Sequence, residues 1–315
     1  QVLHAEAKVC GLGQFHFYIN GCKVEDHELD PGWTDYHKLI EYVTFNVTSY
    51  LKEGENVIGA EVGNGWFYKM DEHYTFKFPE FMPPNPNPYK PFGKELVLAV
   101  ELTITYVDGT VEVIHADEDF LVKEHPVVMS NVYGSETIDG RKNQDGWCTA
   151  EFNTTSWENA SIVTKEKEPT GRMIDQIQPP VKVIHSYTGA YLQDVQDRAI
   201  YDFSQNMSGL LEFEVKGKAG DEIHLYPAEK LAENGDVDQM AKGWVNLDSC
   251  ITYIIGQDDE WETCRMKFTY FAGRYVAVEK LENCEMRNLT AHAISSAYET
   301  DGTFTCDDKR YEQIY

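Results

Sequence analysis

A chain of 315 residues with 42% hydrophobic content is long enough for two cores and too apolar to be disordered. Its formal net charge of −26 repels nucleic-acid phosphates and anionic membranes, so neither is expected as a partner. No apolar run approaches the roughly 20 residues of a membrane span.

Gln14 to Ile19 and Asn56 to Val62 read as strands. Gly11-Leu12-Gly13 lacks the third glycine and the following helix that a dinucleotide site needs. Residues 79–91 hold six of the twelve prolines, which predicts a surface loop rather than a strand or helix. Leu98, Val100, Leu102, Ile104 and Tyr106 alternate with polar residues, and Asp108-Gly109 turns the chain into Val111 and Val113. That is a hairpin with one buried face. The charged stretch 166–180, ending in Pro179-Pro180, reads as a linker between domains at 1–165 and 181–298. Beyond it, Leu211, Phe213 and Val215 repeat the alternation, and Lys218-Ala219-Gly220-Asp221 turns toward Ile223 and Leu225. Many short strands with turns between them predict an all-β chain of two tandem β-sandwiches. Asp307 to Tyr315, polar and free of Gly and Pro, reads as the first turns of a helix.

The seven cysteines are odd in number, scattered, and form no C-x-x-C pair. They argue against a disulfide framework and a zinc site, and for reduced thiols in a cytoplasmic protein. The chain begins at Gln1 without Met, which leaves room for a removed export signal. The acidic clusters Asp117-Glu118-Asp119 and Asp258-Asp259-Glu260 sit in turn-like surroundings and read as solvated loop charges. The histidines show no H-E-x-x-H spacing.

Two sets of motifs are more specific. Leu29-Asp30-Pro31-Gly32-Trp33-Thr34-Asp35-Tyr36, Gly63-Asn64-Gly65-Trp66, Tyr133 to Arg141 and Phe152 to Trp157 resemble the N-terminal accessory domain of bacterial α-L-rhamnosidases. Tyr201 to Gly209, Gly217 to Gly220 and Phe268 to Val276 resemble the concanavalin-like sandwich that precedes their catalytic barrel. Ala272-Gly273-Arg274 departs from the Gly-Phe-Arg more usual there. Asp301 to Cys306 is similar to the lead into the barrel, so 299–315 would enter a part not contained in this chain.

The resemblance implies an inverting glycoside hydrolase, in which one carboxylic acid protonates the leaving oxygen and one carboxylate activates water. Those carboxylates lie in the barrel, in a motif resembling Asp-x-x-x-x-Arg-Asp-Glu that this chain lacks. The implied role is therefore a non-catalytic front portion, without catalytic residues of its own. It would support the barrel, shape the active-site rim and bind rhamnose-containing glycosides. The alternative is a stand-alone carbohydrate-binding protein. Sugar-binding candidates are Asn64, Trp66, Glu136 and Asp139, with Trp33, Trp147 and Trp157 as further stacking surfaces. No cofactor is required. Calcium is the one ion the resemblance admits, held by Asn64 and a carbonyl near Pro126. Against these stand plainer readings: indoles in a sandwich core, Asn64 in a left-handed turn, Glu136 and Asp139 as surface caps or ion-pair partners. Gln205-Asn206 and Arg274 read equally well as an interface with the barrel or as partners for edge backbone groups.

Overall fold

The structure, a computed structural model, describes residues 1–68, 92–131, 135–164, 169–239, 249–280, 283–298 and 302–314. The proline-rich stretch 79–91 and Tyr133-Gly134 lie outside the described residues. Almost every regular element is a strand; Lys309–Ile314 forms a short helix where the polar tail predicted one.

A first sandwich is built from two facing sheets. One has five strands in the order Arg172–Asp175, Leu39–Asn46, Val2–Leu12, Val97–Tyr106, Val111–His115. The other has three, Cys22–Lys23, Gln14–Ile19 and Ile58–Gly63. Period-2 alternation turns Ala5, Ala7, Val9, Val43, Phe45, Val100, Leu102 and Ile104 inward against Phe15, Phe17 and Ile19. The predicted hairpin at Asp108-Gly109 is present. Val111 and Val113, however, lie opposite Thr105 and Thr103 and share their outer face. They are 55% and 48% exposed, and Ile114 is the residue that packs on the core.

The second sandwich is a curled sheet of eleven strands organised around Arg198–Lys216. This 19-residue strand changes register between Asp202 and Met207, where Ser204 adopts a φ of 63°. The bend lets it pair with Phe271–Glu279 and Glu285–Ser296 on its flanks, and with Glu262–Arg265 and Ala190–Val195 at its ends. Leu211, Phe213, Val215, Ile223, Leu225, Ile251, Tyr253 and Phe268 fill the interior. The strand after the Lys218–Asp221 turn does not pair back on its predecessor. Phe271–Glu279 lies between them.

Strands cross between the two sandwiches. Val127–Asn131 and Ser135–Asp139 join the second sheet, the latter parallel to Ile251–Ile254. His27–Glu28 joins its far edge beside Val181–Lys182. In the other direction Arg172–Asp175, from the charged stretch 166–180, runs parallel to Leu39–Asn46.

Candidate functional site

Two indoles meet at the end of the first sandwich. Trp33 and Trp66 are 5.1 Å apart between ring centroids, at 34°. Trp33 is 58% exposed, and Trp66 is half-buried beside Tyr36 and Phe67. Each ring is held by its own turn. Gly32 N–H donates to Gln176 Oε1 at 2.9 Å and Thr34 Oγ1 to the Leu39 carbonyl at 2.6 Å. On the Trp66 side the Asn64 carbonyl accepts the N–H groups of Phe67 and Tyr68. An exposed aromatic face of this kind matches the apolar face of a pyranose ring.

The other expected binding residues are interior. Asn64 is 3% exposed. Its amide donates to the carbonyls of Tyr68 at 2.9 Å and of Ser130 and Gly65 at 3.3 Å, leaving Oδ1 buried without a partner. The glycines around it are small because protein fills the space: a side chain at Gly65 would meet the backbone of Gly13, and one at Gly63 the ring of Phe268. Glu136 is 0% exposed and Asp139 is 5% exposed. Both carboxyl oxygens of Glu136 accept backbone N–H groups, Oε1 from Lys267 and Oε2 from Phe268, each at 2.8 Å. Asp139 takes Arg141 in a two-pronged pair at 2.8 and 2.9 Å, which holds its carboxyl below the usual range. The Pro126 carbonyl accepts the N–H of Asp139 at 2.8 Å. Calcium takes roughly six to eight oxygen ligands. Among the described residues the candidates present one unpartnered amide oxygen, and no group of three His, Cys, Asp or Glu is placed to hold a metal. They do not make up a calcium shell. Trp147 packs on Gly59 and stacks with Trp157 at 6.2 Å, inside the first half. Arg274 makes a two-pronged pair with Asp202, Nε at 2.8 Å and Nη2 at 2.7 Å. Asp117 to Asp119 and Asp258 to Glu260 are exposed, as read from the sequence.

A cluster that the sequence reading did not single out lies between the sandwiches. Gln14, His16 and Tyr18 project from one side of their strand, opposite Phe15 and Phe17. That side faces Lys267-Phe268 of the second sandwich. Glu61 accepts from Tyr18 Oη at 2.8 Å, from His125 Nε2 at 2.9 Å and from Lys267 Nζ. Glu28 meets Arg265 Nη2 at 2.8 Å and Lys23 Nζ at 3.3 Å. Burial alone would raise the Glu28 carboxyl. His16, Lys23 and Arg265 outweigh that and bring it down to about 2. For Glu136 burial prevails over its two N–H donors and pushes the carboxyl up to about 7. The available signal was polar residues alternating with Phe in Gln14–Ile19, a pattern that also describes a solvated strand.

Known proteins match this arrangement along the chain. The family described as Alpha-L-rhamnosidase N-terminal domain matches residues 1–185, and the Bacterial alpha-L-rhamnosidase concanavalin-like domain matches 193–295. An α-L-rhamnosidase of Formosa agariphila is 29% identical over 320 residues, covering 100% of this chain and 32% of the relative. One from Streptomyces avermitilis is 29% identical over 282 residues, covering 88% and 25%. The solved structure of the α-L-rhamnosidase from Dictyoglumus thermophilum superposes with a TM-score of 0.80 at 26% identity, over 99% of this chain and 33% of that one. The S. avermitilis enzyme complexed with L-rhamnose gives 0.81 at 25% identity, over 94% and 27%. The chain thus spans about a third or less of these relatives. It belongs to the α-L-rhamnosidase N-terminal domain family, with the concanavalin-like domain of bacterial α-L-rhamnosidases following in the same chain.

Proposed function

We propose that this chain is the non-catalytic front portion of an α-L-rhamnosidase that releases terminal rhamnose by inverting hydrolysis. The observation that carries the reading is the order and reach of the two family matches, 1–185 then 193–295, set beside relatives roughly three times as long. The two sandwiches would seat the catalytic barrel and form part of its rim. The indole pair Trp33–Trp66 would hold rhamnose-containing glycosides by stacking, at an affinity of roughly 1 mM, or about −4 kcal/mol. The seven free thiols support a reducing compartment such as the cytoplasm. The test is incubation of this chain alone with an aryl α-L-rhamnoside. No release above a buffer blank is expected. Turnover that disappears on replacing a carboxylate within 1–315 would sink the non-catalytic reading.

A further inference from the structure

We propose that the seam between the two sandwiches is a proton-linked clasp centred on His16, shut while the ring carries both its protons and loosened when it loses one. His16 is 6% exposed. Its Nε2 lies 3.3 Å from Glu28 Oε2 and its Nδ1 3.6 Å from Glu61 Oε2. Ionised carboxylate oxygens only accept. An imidazolium can answer both; a neutral ring must aim a lone pair at one of them. The second imidazole on Glu61 is the opposite case. His125 Nδ1 accepts the Val127 N–H at 2.9 Å while Nε2 donates to Glu61 Oε1 at 2.9 Å, so this ring is neutral as arranged. The two rings are thus held differently: His125 is fixed in one tautomer by its partners, whereas His16 faces an acid at each nitrogen with its buried Nε2 not closed into a hydrogen bond.

Every element packed around His16 brings a charge or a dipole to it. Tyr18, on the same strand, donates its hydroxyl to Glu61. Lys23, from the neighbouring strand, reaches Glu28. From the second sandwich Arg265 reaches Glu28 and Lys267 reaches Glu61. Glu136 lies behind Lys267 and Phe268 and binds their N–H groups. The seam thus sets three carboxylates, Glu28, Glu61 and Glu136, against three permanent cations, with His16 bridging two of the acids. Phe268 lies against His16 with ring centroids 5.4 Å apart and the planes tilted by 37°, and against His125 at 5.5 Å and 60°. An aromatic face favours the cationic ring. Loss of the His16 proton removes the bridge between Glu28 and Glu61, and weakens the hold on Phe268, the side chain that enters the first sandwich at Gly63.

Long-range proton–nitrogen spectra of the imidazoles, taken with amide exchange of Lys267 and Phe268, decide the matter. On the acid side of the His16 transition both ring nitrogens should be protonated, and on the alkaline side one should be bare. Over the same interval the protection factors of the two amides, corrected for the intrinsic rate, should fall about tenfold, whereas those of Leu102 and Phe45 should hold. In His16→Gln the two amides should sit at the wild-type alkaline-side level throughout. A His16 ring that never carries both protons in the folded protein, protection that ignores its transition, or a His16→Gln profile identical to wild type would each overturn the clasp. Glu136→Gln removes the other group that titrates against these two amides; the fall should persist in it, and its loss there would overturn the clasp even if His16→Gln does not fold.

Discussion

Glu136 caps Phe268: a carboxylate on a strand that the N-terminal family match contains accepts, at 2.8 Å, the backbone N–H of a residue in the core of the following domain. The same carboxylate takes Lys267 N–H, and Ser130 Oγ donates to the Phe268 carbonyl at 3.0 Å. A turn of backbone at the junction is thereby satisfied from one side, and its aromatic ring is delivered to the other.

Removing that cap should be costly. Glu136→Ala leaves two buried N–H groups without an acceptor, and a loss of about 3 kcal/mol is expected from the denaturant midpoint. The pH dependence has a definite sign. The folded carboxyl stands at about 7, above its ordinary 4.5. Its contribution is therefore fully present below 4.5 and is lost as pH rises through 7, by about 3 kcal/mol at most. Glu136→Gln carries no such charge, so the stability gap between wild type and this variant should narrow from about pH 5 to pH 8. A gap that widens with pH would contradict it.

Gly63 should tolerate nothing larger. A Cβ there would overlap the Phe268 ring itself, a core side chain rather than a flexible tip. Gly63→Ala is expected to cost about 2 kcal/mol or more by overpacking.

How much of this was legible in the residues depended on range. The hairpin around Asp108-Gly109 and the helical tail are local, and pattern alone predicts them. Glu136 read as a sugar-binding candidate or a surface group because its burial depends on Lys267 and Phe268, more than a hundred positions away, and the parallel pairing of its strand with Ile251–Ile254 has no local signature. For the same reason His16 and Glu61 were not singled out. Period 2 separates two faces without saying what covers the second. The Gly-Asn-Gly before Trp66 was visible as a special turn, but whether the space it opens admits a ligand or Gly13 is a tertiary fact.

Trp33 should separate binding from folding. With more than half of its surface exposed, Trp33→Ala should change stability by less than about 1 kcal/mol. It should nevertheless abolish the heat of rhamnose binding measured by calorimetry at millimolar sugar. Equal binding by wild type, Trp33→Ala and Trp66→Ala would remove the stacking role.

The thiols should report burial in order. Cys22 is exposed and should react first with a thiol reagent; Cys10, Cys148 and Cys264 are buried and should wait for unfolding. Burial pushes the Cys10 thiol up to about 12, which suppresses its reactive thiolate further. Denatured without reductant, the protein should titrate as seven thiols; three or fewer would mean disulfides.

The parallel strand Ser135–Asp139, seated beside Ile251–Ile254, makes the two family domains poor units of exchange. A graft of 193–295 into another enzyme would arrive with that edge of its sheet stripped and with Lys267 and Phe268 uncapped. A deletion of the same segment would take Arg265, Lys267 and Phe268 from Glu28, Glu61 and Glu136 and uncover the face that these acids now line. Recombination that keeps the protein whole must carry 127–139 and 27–28 along with the second sandwich. Inheritance of this front portion is then expected to be all or none, with the seam rather than the linker deciding where a breakpoint survives.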